Sequence, residues 1–142
     1  MLSEVRKRER SEEWIAFLAW SPHPMNVNHD LKYLSGGESY SGPNKGEVIV
    51  NTVTRKGYAW ACANVGQFLD NYDYTVAEQS RAMDYVNNED MEYLEAGKRL
   101  IREKPELLDR WFSRSGIYQT GGITTTDGER DAREVIADAL GL

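Results

Sequence analysis

Apolar positions along this chain follow two patterns, and they predict two kinds of element. Residues 15–19 form an unbroken apolar run, Ile-Ala-Phe-Leu-Ala, flanked by Trp14 and Trp20. Residues 48–54 read Val-Ile-Val-Asn-Thr-Val-Thr between Gly46 and Gly57. Short apolar or β-branched runs bounded by turn residues predict strands, and a run without polar alternation predicts a strand buried on both faces. The first run stops at Trp20 because Pro22 and Pro24 lack ladder donors and push the residues before them into extended conformations. Elsewhere the spacing is helical. Residues 2–13 hold no Gly or Pro and are dominated by charge, with only Leu2 and Val5 to bury, so this helix must lean on a larger body. Residues 58–72 predict a helix with Trp60, Val65, Phe68 and Leu69 as its buried face.

The remaining helices announce themselves by their ends. Thr75 and Glu78 form a capping box that starts a helix running to about Val86. Asn88 or Asp90 caps the next, which carries Tyr93, Leu94, Leu100 and Ile101. Pro105 sits at a helix first turn, where its missing donor is harmless, and Leu107, Leu108, Trp111 and Phe112 follow as the buried side. Residues 116–122 read as loop, and Thr126 with Glu129 makes a second capping box. Beyond it Ala132, Val135, Ile136, Ala139 and Leu140 trace a helical stripe that Gly141 stops. Two strands with about six helices, joined by a Ser- and Gly-rich loop over 35–46, predict an α/β protein. Two such strands do not make a free-standing sheet. The pattern therefore implies part of a larger fold, with a partner chain or a missing half completing the sheets.

Composition narrows the function. The net charge of −6 argues against nucleic acid, because phosphate binding relies on clustered Lys and Arg. Arg6, Lys7, Arg8 and Arg10 are interrupted by Glu4, Glu9, Glu12 and Glu13, which describes a solvated helix. Cys62 is the sole cysteine, so no internal disulfide and no thiolate cluster is expected. His23 and His29 make a poor metal pair, since two ligands leave a zinc site short. Gly36, Gly37 and Gly42 do not form a phosphate loop. Ser21 beside His23 is not a catalytic dyad on adjacency alone, and no nucleophile elbow appears. The expectation is a non-enzyme with no cofactor and no metal. The N-terminus lacks the apolar core of a secretory signal, so the chain reads as cytoplasmic or as a segment of something longer.

Three motifs carry a resemblance. Trp20-Ser-Pro-His23-Pro-Met-Asn26, Asp30-Leu-Lys-Tyr-Leu34 and Val53-Thr-Arg-Lys-Gly57-Tyr58 resemble the second half of the substrate-binding proteins of bacterial ABC importers for glycine betaine, choline and related quaternary ammonium compounds. The likeness continues through Asn64-Val-Gly66, the stretch from Glu103 to Trp111, and 122–128. It implies a partial periplasmic-binding-protein fold of type II, whose two lobes close on the ligand. Residues 1–34 would hold the end of the second lobe and the return crossing, and 35–142 the end of the first lobe. By resemblance Trp20 is one wall of an aromatic cage around the ammonium, and His23 donates a hydrogen bond to a betaine carboxylate. Asn26 makes a polar contact or fixes the turn. On pattern alone Trp20 is core and His23 a turn residue bonded to backbone.

The resemblance further implies ABC permease subunits as partners, and a place in the periplasm or on the outer face of the bacterial membrane. A second reading stands beside it: an oligomerising or domain-swapped fragment, a homodimer that pairs its orphan strands and has no complete binding site.

Overall fold

The helix ends written in local chemistry at Thr75, Pro105 and Gly141 form as expected, whereas neither Asn88 nor Asp90 caps the helix after them, which begins at Tyr93. The computed structural model describes residues 1–113, 123–124 and 130–142. In chain order its helices are α1 (Leu2–Arg10), α2 (Met25–Asn28), α3 (Glu38–Ser41), α4 (Tyr58–Ala61), α5 (Ala63–Asn71), α6 (Val76–Asn88), α7 (Tyr93–Glu103), α8 (Glu106–Trp111) and α9 (Ala132–Leu140). The capping box before α6 is complete: the Glu78 amide donates to Thr75 Oγ1 at 3.2 Å, and the Thr75 amide donates to Glu78 Oε2 at 2.7 Å. Pro105 leads into α8, and Gly141 ends α9 in the left-handed conformation at φ 72°. The side chain of Asp131 caps α9 by accepting from the Arg133 amide at 2.9 Å. The expected capping box at Thr126 and Glu129 and the loop over 116–122 lie outside the described residues.

The two expected strands are not formed. Residues 14–20 and 48–54 carry no ladder, and among the described residues pairing is limited to an isolated antiparallel bridge between Thr124 and Asp131. The physical reason is that a strand exists only against a neighbour that supplies donors and acceptors. Described chain offers neither segment such a neighbour, so their apolar side chains face outward. Leu18 is 83% exposed and Val50 90%. The described residues are therefore helical where two strands were expected, and the apolar runs that predicted buried strands stand largely uncovered.

A second correction concerns residues 58–72. The helix breaks at Cys62, whose φ of −127° and ψ of 62° are not helical, so α4 folds back against α5. Gly66 makes this possible, because a Cβ there would lie 2.6 Å from the carbonyl oxygen of Ala59. Half of the expected buried face forms: Phe68 and Leu69 are half-buried, whereas Trp60 is 72% exposed, Val65 is exposed, and Gly66 and Gln67 are the fully buried positions.

Two compact units emerge, each assembled from two stretches of chain. The first joins Met1–Leu31 to Thr75–Ala96, so α1 and α2 share a unit with α6. Its buried side chains include Val5, Met25, Tyr85 and Ala96. The second joins Lys32–Tyr74 to Gly97–Leu142 and buries Leu100, Leu107, Leu108, Trp111, Ile123 and Leu140. Its aromatic group packs Phe68 on Phe112 at 5.2 Å and Tyr72 on Trp111 at 4.8 Å between ring centroids. The Trp111 indole N–H donates to the carbonyl of Asp73 at 2.6 Å, which satisfies the polar edge of a buried ring. No helix among the described residues is long and apolar enough to cross a membrane.

Candidate functional site

The first unit holds the segment that the sequence singled out. From Trp20 the chain passes through a cis Ser21–Pro22 bond and His23 into Pro24, whose φ of −53° starts α2. This one-turn helix brings Trp20, His23 and Asn26 together. The Trp20 and His23 rings meet edge to face, 5.2 Å between centroids and 78° between planes. Among the described residues of this unit, His23 is the ring that touches Trp20, and the indole stays 53% exposed.

Local hydrogen bonds assign each residue a task. The Met25 amide donates to His23 Nδ1 at 3.1 Å, so in the neutral ring Nδ1 holds the lone pair and Nε2 carries the proton. His23 thereby presents an N–H donor. Asn26 turns inward: its Nδ2 donates to the Trp20 carbonyl at 2.9 Å and to the His23 carbonyl at 3.2 Å. Both bonds close the turn on itself. These are the bonds of a residue that braces the turn.

Sequence reading missed the groups on α6 beneath this turn. The His23 amide donates to Ser80 Oγ at 3.2 Å. Asn28 Nδ2 donates to Asp84 Oδ1 at 2.6 Å, and Asn88 Nδ2 donates to the same oxygen at 2.6 Å. Ser80 lies 57 residues from His23, and no local pattern links positions so far apart. The capping box did fix where α6 begins, and therefore which residues share a face, but not what that face meets. On α1, Glu9 Oε2 lies 2.7 Å from His29 Nδ1.

A cavity of about 680 Å³ opens against the same unit, lined by residues that include Arg6, His23, Asn28, His29 and Asp84. Its walls mix polar and charged groups with Leu2, Pro24 and Met25, and neither Trp20 nor Asn26 is among them. An aromatic cage for a quaternary ammonium needs ring faces, so the exposed indole and not this cavity fits that chemistry. No group of three or more His, Cys, Asp or Glu among the described residues could hold a metal ion.

Comparison with known proteins gives one consistent answer. The model of the family described as the substrate binding domain of ABC-type glycine betaine transport system matches residues 1–103. The glycine betaine/carnitine transport binding protein GbuC of Listeria monocytogenes serotype 1/2a (strain 10403S) is 28% identical over 146 residues, covering 99% of this chain and 47% of that protein. Among solved structures, an ABC-transporter choline binding protein in complex with choline aligns with a TM-score of 0.66 at 34% identity, covering 99% of this chain and 45% of that one. A choline binding protein in an unliganded semi-closed conformation aligns at 0.63 with 35% identity, covering 99% and 46%. The chain thus spans about half the length of the relatives it matches.

Proposed function

The chain belongs to the family of substrate binding domains of ABC-type glycine betaine transport systems, and from that premise we propose that it contributes part of a binding site for a quaternary ammonium osmolyte such as glycine betaine or choline. Trp20 is one wall of the cage and His23 the donor for an anionic ligand end. The ligand would be handed to an ABC permease, on the periplasmic or outer face of the membrane. The protein is a carrier and makes or breaks no covalent bond.

One observation carries this reading: a half-exposed indole stands edge to face with an imidazole whose Nε2 carries the proton. A trimethylammonium group donates no hydrogen bond, so capture relies on aromatic faces around a diffuse charge, each contributing about 0.5–2 kcal/mol. The betaine carboxylate accepts from an N–H, and a charge-assisted bond of that kind is roughly twice as strong as a neutral one. Further ring faces are needed, and on this reading they come from sequence corresponding to the part of the relatives that this chain does not cover.

Isothermal titration of glycine betaine and choline into the chain, the parent against Trp20→Ala, tests the proposal. Both ligands should lose affinity in the variant while its fold persists. His23→Ala should weaken glycine betaine more than choline, because choline has no carboxylate. Equal affinity of parent and Trp20→Ala for both ligands would remove Trp20 from the site and sink the reading.

The exposure of residues 14–20 and 48–54 favours a second reading, in which those segments pair with further polypeptide and the assembly, not the single chain, is the folded unit. Sedimentation across protein concentration, with and without ligand, separates the two.

A further inference from the structure

We infer that one face of α6 sets the orientation of the ligand-binding turn, with Ser80 and Asp84 acting as positioning residues for Trp20 and His23; this rests on the proposed role of that turn. Ser80 and Asp84 stand four residues apart and so lie on one face of the helix, one turn above the other. Ser80 is 1% exposed and Asp84 6%. A hydroxyl or carboxylate taken out of water must find partners there, and both find them on the turn. Ser80 Oγ accepts from the His23 amide, and Asp84 Oδ1 accepts from Asn28.

These two anchor points bracket α2. His23 precedes it, Asn28 is its last residue, and Met25 between them is buried. A segment held at one point can swivel about it, whereas one held at both ends of a single helical turn cannot. Asn88 matters as well: by donating to the same Asp84 oxygen from one turn further along α6, it fixes the carboxylate rotamer that receives Asn28. The chain of restraint runs from α6 through the His23 backbone to the His23 ring, whose Nδ1 is already tied to the Met25 amide. It also reaches Trp20, whose carbonyl is tied to Asn26. Neither Ser80 nor Asp84 needs to touch ligand for the indole and the Nε2 proton to depend on them.

The test uses the 142-residue chain and its variants Ser80→Ala and Asn28→Ala. The second is a substitution at an exposed position that leaves Asp84 paired with Asn88. Two-dimensional NMR reads the cross-relaxation between the Trp20 indole and His23 imidazole protons, without ligand. Titration with glycine betaine and with choline reads affinity. Each variant should weaken the Trp20–His23 cross-peak in the folded protein. Each should also raise the Kd for both ligands about three- to tenfold, as expected for loss of one net hydrogen bond. A role in stability alone would lower the melting temperature and leave the cross-peak and the Kd of the folded fraction as they were, which would overturn the inference. Should Ser80→Ala fail to fold, Asn28→Ala decides by the same readouts. If the parent binds neither ligand even when polypeptide corresponding to the uncovered share of the relatives is supplied, the functional reading fails; an intact cross-peak in Asn28→Ala refutes the positioning claim on its own.

Discussion

Replacing Asn26 separates two roles that its position in the turn leaves open. The side-chain amide donates to the carbonyls of Trp20 and His23 at 2.9 and 3.2 Å. A typical intramolecular hydrogen bond contributes about 0.5–1.5 kcal/mol net. The Trp20 bond is exposed and the His23 bond only part-buried, so water reaches the freed carbonyls and the lower end of that range applies. Asn26→Ala should therefore cost about 1 kcal/mol. Asn26→Asp is the sharper perturbation, because it sets a carboxylate oxygen where the Nδ2 stood, facing two carbonyl oxygens. Both bonds are lost and like charges face each other, so the cost should rise to about 2 kcal/mol. Urea denaturation followed by tryptophan emission reads stability, and titration with glycine betaine reads affinity. The expected order is parent above Ala above Asp in both assays. A residue that touched the ammonium directly would behave the opposite way, since an added carboxylate strengthens the hold on a cation. An Asp variant as stable as the parent and binding more tightly would refute the turn-brace assignment outright.

Other positions give shorter tests. Trp20→Ala should lower affinity about 3- to 30-fold, the equivalent of one cation–π face, while stability by chemical denaturation changes by less than about 1 kcal/mol because the ring is half exposed. Gly66→Ala drives a Cβ against the Ala59 carbonyl at 2.6 Å and should destabilise the α4–α5 pair by about 1–3 kcal/mol, read as a drop in denaturation midpoint. Burial, with a smaller contribution from Tyr74, raises the Tyr72 phenol above its usual value near 10. The folded state then keeps the proton longer than the unfolded state does. The resulting stabilisation is complete below the unfolded value and disappears as pH climbs through the folded one. Absorbance at 295 nm during alkaline titration, with Tyr72→Phe as control, should place that loss above pH 10; a Tyr72 transition at or below the ordinary value would refute it.

What could be read from the sequence was the local part. Thr75, Pro105 and Gly141 work through their own backbone neighbours, so the ends of α6, α8 and α9 follow from residue type. The apolar runs at 15–19 and 48–54 were equally legible as demands for burial, but whether a strand answers depends on a neighbouring strand, which is not a property of the run itself. Trp60 misled for a related reason. Helical phase assigns it an inner face only if the helix is continuous, and the break at Cys62 changes the phase four residues before Gly66 closes onto Ala59. Trp111, expected on a buried side, is buried, because it sits in an unbroken helix with Leu107 and Leu108 buried beside it.

The turn itself divides the same way. Its internal bonds, Asn26 to Trp20 and His23 and the Met25 amide to His23, span six residues or fewer and are implicit in the order of residues between two prolines. Its anchors on α6 are remote and were invisible. Magnitude then limits what this turn does by itself. A single aromatic face of about 0.5–2 kcal/mol, joined by one charge-assisted bond of about 1.5–3 kcal/mol, falls well short of the roughly 8 kcal/mol behind a micromolar dissociation constant. On the proposed reading, the difference has to come from more ring faces than His23 and Trp20 provide. A relative whose solved structure holds choline is matched over only 45% of its length, so the proposal assigns those faces to the uncovered share. Millimolar or weaker binding by this chain, rising sharply when polypeptide corresponding to that share is supplied, is what the arithmetic requires.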